Sequence, residues 1–135
     1  MMCMKRALLF IAIALAACSG GPTEPDQNPA VRVRGTLLGL VTIGPNCPAS
    51  QEPCPTPMSA YAARKILVFD EQRTREPLTV DIDVRGIYRI SLLRGKYVVD
   101  FQGIGLDRST DVPKTVTIEA LSETRLDIRI DTGIR

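Results

Sequence analysis

The sequence predicts an all-β protein whose folded part is a single antiparallel sandwich of seven short strands. Two observations carry this. Apolar and polar residues alternate with period two through most of the second half, as in Leu126-Asp127-Ile128-Arg129-Ile130-Asp131. Period two places one set on a buried face and the other in water. Turn signals such as Arg85-Gly86 and Arg94-Gly95 separate these runs at short intervals, while helical periodicity is scarce.

In chain order, the first expected strand covers 31–43 and is interrupted by Gly35 and Gly39, which read as a bulge or bend. Strands follow at 65–70, 78–84, 88–92, 97–101, 114–119 and 126–131, with tight connections at Arg85-Gly86, Arg94-Gly95 and Ala120–Glu123. The predicted core draws on Tyr88, Ile90, Leu92, Tyr97, Val99, Phe101, Val116, Ile118, Leu126, Ile128 and Ile130. On the second strand either Ile66 and Val68 or Leu67 and Phe69 face inward. At roughly 1.5–3 kcal/mol per buried large side chain, this set is sufficient for one small domain. Between the first two strands, residues 44–57 hold five of the ten prolines. Proline fixes φ and lacks an amide donor, so this stretch is a stiff loop.

The first 17 residues have another character. Lys5-Arg6 precedes an apolar run from Ala7 to Ala17 that is too short to span the roughly twenty-residue hydrocarbon core. Leu15-Ala16-Ala17-Cys18 closes it. The segment resembles a bacterial lipoprotein lipobox, which implies cleavage before Cys18 and acylation of its thiol, with palmitate among the chains expected. An ordinary signal peptide with an incidental cysteine is the plainer alternative. Residues 18–30 are almost devoid of apolar side chains and are expected to be a flexible linker, leaving 31–135 as the domain. Loss of Lys5 and Arg6 lowers the 17 basic residues by two, to match the 15 acidic ones. A neutral body gives no reason to expect nucleic acid, so membrane contact would run through the lipid anchor. Ser19 stands where enteric lipoproteins retained at the inner membrane carry Asp, which points to the outer membrane if the cell has two.

From Leu78 onward the chain resembles the carboxypeptidase regulatory-like domain on Asp83-x-x-Gly86-x-Tyr88-x-x-x-Leu92-x-x-Gly95-x-Tyr97-x-Val99. The resemblance implies a transthyretin-like (prealbumin-like) Greek-key sandwich, usually a non-catalytic binding or spacing module. In physical terms, Gly86 and Gly95 permit the positive φ of hairpin turns and Asp83 can accept turn amides. Arg85 stands where Asp or Asn more often precedes the turn glycine, leaving the turn type open.

Cys47 and Cys54 are expected to form a disulfide, because the domain is exported and such bonds persist there. Closing so short a loop contributes about 2.5 kcal/mol in the chain-entropy account. Zinc would need four ligands, yet the chain has no histidine and Cys18 is committed to lipid. No metal or cofactor is expected. Absence of histidine also removes the commonest general base and the Ser/His and Cys/His pairs. Asp81 and Asp83 read as a solvated strand face plus a turn cap, with calcium binding or paired-acid hydrolysis as the alternatives. Asp127, Asp131, Arg125 and Arg129 read as outer-face charges that pair across strands and protect an edge. Tyr61 is the one aromatic expected to be exposed, hence the candidate ligand or partner contact. The functional expectation is a lipid-anchored, non-catalytic binding or structural module of the cell envelope, with an envelope protein as its partner. An enzyme accessory, or a carbohydrate-recognition domain using the proline-rich loop, is the alternative.

Overall fold

The computed structural model describes residues 33–51 and 53–135. The expected signal peptide 1–17, Cys18 and the linker to residue 30 lie outside them. Among the described residues eight strands form two sheets: β1 (Arg34–Gly44), β2 (Lys65–Asp70), β3 (Leu78–Asp81), β4 (Ile87–Leu93), β5 (Gly95–Gln102), β6 (Lys114–Ile118), β7 (Glu123–Arg125) and β8 (Ile128–Asp131). A 3-10 turn (Ala49–Gln51) and one short helix, α1 (Met58–Ala62), sit in the β1–β2 connection. One sheet is β4-β1-β7, with β8 also on β1; the other is β3-β2-β5-β6. The all-β sandwich is therefore as expected, in eight strands where seven were read.

The strands are not all antiparallel. β7 and β8 both run parallel to β1, Thr36 opposite Glu123 and Val41 opposite Ile128, in one continuous register. The alternating run expected at 126–131 is thus the second half of a longer, broken strand. At the break Leu126 still donates its amide to the Leu38 carbonyl at 2.9 Å. The next amide of β1, that of Leu40, donates to Asp127 Oδ1 at 2.8 Å instead of to a carbonyl. Asp127 therefore repairs the ladder. That amide, more than the neighbouring Arg125, holds its carboxyl below the ordinary range.

Gly35 and Gly39 make neither a bulge nor a bend. Both are buried, on the inward face of β1 with Leu37, Val41 and Ile43. A Cβ on Gly39 would lie 1.8 Å from the Leu126 carbonyl oxygen and 2.8 Å from the Tyr88 ring. One on Gly35 would lie 2.1 Å from the Glu119 carbonyl oxygen. The glycines thus admit the 119–126 backbone to van der Waals range of β1. Tyr88 is opposite Gly39 in the β1–β4 register. Its ring fills the space a side chain would have taken, and its hydroxyl donates to the Leu126 carbonyl at 2.6 Å.

Ile66 and Val68 are the inward pair of β2, joining Leu37, Val41, Tyr88, Val99, Ile118, Ile128 and Ile130 in the core. Leu67 and Phe69 are half-buried on the outer face. There the Arg73 guanidinium sits 4.8 Å above the Phe69 ring, within cation–π range. Ile90, Tyr97 and Phe101 pack at the margin of the core. On β4 the carbonyls of Ile87, Ser91 and Leu93 accept from the Asp83 amide, the Arg34 guanidinium and the Tyr97 hydroxyl. Carbonyls so occupied blunt the strand against pairing with another chain.

Tyr88→Phe keeps the ring and removes one hydrogen bond, leaving the buried Leu126 carbonyl unpaired. It should cost about 1–3 kcal/mol, and Tyr88→Ala about 3–5 kcal/mol, by urea denaturation. A Tyr88→Phe protein as stable as the wild type would show that the hydroxyl contributes nothing.

Candidate functional site

The site lies at the end of the sandwich where β1 finishes, and three segments build it. The first is the proline-rich loop. Asn46 donates its side-chain amide to the Ile43 carbonyl at 3.2 Å and to the Thr56 hydroxyl at 2.9 Å, tying the start of the loop to its end. Cys47 and Cys54 are joined, with Cα atoms 6.1 Å apart, inside the usual disulfide range. Pro57 is the N-cap of α1 and its carbonyl accepts the Ala60 amide. The second segment is 104–107, closed by the Asp107 amide on the Ile104 carbonyl at 3.1 Å, with Gly105 at a φ of 54°. The third is the tail after β8. Its Thr132 amide donates to Gly44 O at 3.2 Å, and its hydroxyl donates to Pro45 O.

Arg64, which precedes β2, joins the first two. Its guanidinium grips Asp107 through two parallel bonds, Nε to Oδ2 at 2.6 Å and Nη2 to Oδ1 at 2.9 Å. Nη1 donates to the Ala60 carbonyl at 2.9 Å. The two side chains are only 6% and 3% exposed. Burial pushes the Asp107 carboxyl upward, but the Arg64 guanidinium and the Ile104 amide outweigh it and leave it below the ordinary carboxylate value. Such a pair holds geometry more than it adds stability, because desolvation offsets most of the attraction.

Above this pair opens a cleft of about 330 Å³, walled by Pro57, Ala60, Ile104, Leu106 and Ile134, with Asn46 and Thr132 as polar edges. Leu106 is 69% exposed, and Ile104 and Ile134 of the same lining are exposed too. An apolar slot with a few placed polar groups is the general form of a binding site. Beside it lies a recess of about 190 Å³ at Arg108, Ser109, Thr110, Arg129 and Asp131.

Of the residues singled out from the sequence, Cys18 lies outside the described residues, and Cys47 and Cys54 brace the loop beside the cleft. Tyr61 is on α1, half-buried and packed against the core, not exposed as expected. Its ring lies over Gly86, where an added Cβ would meet it at 3.0 Å. Gly86 has a φ of 83°, so the turn glycine has the expected positive φ. Asp83 accepts the amides of Arg85 and Ile87 at 2.8 and 2.9 Å, and the Ile87 amide foremost holds its carboxyl below the ordinary range. Asp81 pairs with Lys65 across the β2–β3 ladder at 2.6 Å. Asp131 binds Arg135 and the Gly133 amide rather than guarding an edge. Among the described residues no group of three or more His, Cys, Asp or Glu side chains is placed to hold a metal ion. The Arg64–Asp107 pair went unread in the sequence. Its members are 43 residues apart, and an arginine ahead of a strand carries no mark of burial.

No family model matches the sequence, and no curated protein matches it. Among solved structures the chain is similar to GBS52, the minor pilin of the gram-positive pathogen Streptococcus agalactiae. The TM-score is 0.54 at 18% identity, over 75% of this chain and 45% of the pilin. It is also similar to the TIE protein of Bacillus anthracis, with a TM-score of 0.50 at 14% identity over 73% of this chain and 16% of that one. A DUF3823 family protein from Parabacteroides merdae gives 0.47 at 18% identity, over 73% and 46%. The chain spans less than half the length of each. At this identity the likeness is one of fold, and it places the chain among β-sandwich domains.

Asp107→Asn leaves Arg64 buried without a counter-charge and should cost about 3–5 kcal/mol at neutral pH. Because the folded pKa of Asp107 lies below its unfolded value of about 3.9, the pair's contribution is complete above that value and lost as pH falls through the folded one. The stability gap between wild type and Asp107→Asn should therefore be level from pH 7 to about pH 5 and close below about pH 4. A gap that stays level throughout the acid range would remove the ion pair from the account.

Proposed function

We propose that this chain is a lipid-anchored, non-catalytic binding module of the cell envelope, its sandwich of the carboxypeptidase regulatory-like kind, and that it engages a polypeptide partner through the apical cleft. The observation that carries the reading is the position of that cleft. β1 enters the sandwich at Arg34 and delivers the chain to the cleft at Gly44, its eleven residues spanning about 35 Å. A protein held to a membrane by acyl chains on Cys18, through a linker of residues 19–30, carries its apolar cleft at the end remote from the anchor.

The chemistry of the acids supports a binding role. Asp83, Asp107 and Asp127 are all held below the ordinary carboxylate range by the amides and guanidinium groups they bind. A general acid working near neutrality needs the opposite shift. A polypeptide suits the cleft better than a sugar, because none of the residues that line it is aromatic and able to stack on a sugar ring. Ser19 after the acylated cysteine favours the outer membrane in a cell that has two. The fold is compatible with this reading, since it is shared with a domain of a minor pilin.

The test has two arms. Wild-type protein should partition into detergent with the membranes, and Cys18→Ser should be unprocessed or released. A photo-crosslinking residue at Leu106, on the cleft rim, should capture an envelope protein in intact cells. One at Leu121, which is 89% exposed and bonded to Arg34 at the far end, should not. A processed, membrane-bound Cys18→Ser protein contradicts the anchor, and equal adducts from both positions contradict the cleft.

A further inference from the structure

The recess beside the cleft gives the partner a chemical description, on the reading that the cleft is a binding site. The two hollows share their chain segments, since Arg108 and Asp131 form an isolated antiparallel bridge. Asp107 and Thr132 line the cleft, and the neighbouring residues Arg108 and Asp131 line the recess. Among the described residues, Arg108 and Arg129 form no ion pair within 4.0 Å, whereas most other arginines do.

The carboxylates nearby are already occupied. Asp131 faces the recess, but both its oxygens accept from Arg135 and one also from the Gly133 amide. Arg108 attracts it without reaching contact. Asp111 accepts the backbone amide of Arg129 at 2.7 Å, leaving that guanidinium unspent. Ser109 Oγ accepts the Asp111 amide and keeps its own proton to donate. The recess thus presents two guanidinium groups and two hydroxyls beside an apolar cleft.

We propose that cleft and recess together read a peptide segment of a partner protein bearing an apolar side chain next to a carboxylate. The apolar group seats among Ile104, Leu106 and Ile134, and the carboxylate meets Arg108 and Arg129. Two arguments fix this occupant. Charge complementarity calls for an anion, and guanidinium forks match the planar carboxylate. The exposed apolar rim calls for a ligand with an apolar side chain adjoining that anion. A phospholipid headgroup fits poorly, because the hollows lie at the end of β1 remote from the chain's entry at Arg34.

The experiment is selection of a phage-displayed random peptide library on the full-length protein in detergent micelles. Enriched peptides should pair an apolar residue with Asp, Glu or a free C-terminus. Their binding should weaken roughly tenfold in Arg108→Ala/Arg129→Ala, the size expected for lost charge-assisted hydrogen bonds at an open site, and should fall with added salt. Leu106→Ser should weaken the same peptides independently of salt. Both arginines and Leu106 are exposed, so these variants should fold as the wild type does. Enrichment of neutral or basic peptides, or binding indifferent to the double variant, overturns the carboxylate assignment while the cleft stands. Absence of enrichment over bare micelles overturns the peptide ligand. The envelope reading is scored separately by the Cys18 and Leu106 experiments.

Discussion

The hydrogen bond from the Tyr88 hydroxyl to the Leu126 carbonyl, drawn across the bare Cα of Gly39, is the constraint on which the sandwich depends. Among the described residues β1 is the only strand of its sheet bonded on both sides, antiparallel to β4 and parallel to β7 and β8. The parallel side is the harder to form, because its strands arrive from some ninety residues downstream and are broken in the middle. Gly39 lets the returning backbone come close, Tyr88 supplies the donor that keeps it there, and Asp127 satisfies the amide that the break would orphan. A buried amide or carbonyl left without a partner costs about as much as several such contacts contribute, so the three features succeed or fail together.

The same return of the chain makes the site. Because β8 runs parallel to β1, the two strands finish at the same end of the sandwich. The tail after β8 therefore meets the loop after β1, where Thr132 bonds to Gly44 and Pro45. An antiparallel last strand would have carried the tail to the other end. Arg64 and Asp107 then lock the 104–107 segment to α1, and the disulfide and the Asn46–Thr56 bond hold the proline-rich loop beside them. All of these groups are engaged with one another or with backbone atoms. Each is spent on holding three loops apart at a fixed spacing, and the apolar slot between them is the consequence.

Much of this was legible in the residues. All seven expected strands were located to within a few residues, because on a two-layer sandwich alternation follows directly from having one wet face. β7 was missed because Glu123-Thr124-Arg125 holds no apolar residue to mark it. Strand direction was misread because period two is the same whichever way a strand runs. The glycines of β1 were noticed but misassigned, since a bend and a close approach call for the same residue. The Cys47–Cys54 pair was legible once export was expected from the first 17 residues. Tyr61 was not, because its burial depends on Gly86, twenty-five residues away. Arg64, Asp107 and Thr132 come together only through tertiary contacts, so nothing local distinguishes them from surface charges and hydroxyls.

Residue-resolved hydrogen exchange tests the central claim most directly. If the seam along β1 is part of the cooperative core, the Leu40 amide on Asp127 and the Leu126 amide on Leu38 should exchange only through global unfolding. Their rates should match that of Val68, inside a strand paired on both sides. Exchange at Leu40 and Leu126 faster than at Val68 by orders of magnitude would show that the seam opens on its own, and that the sandwich does not depend on it.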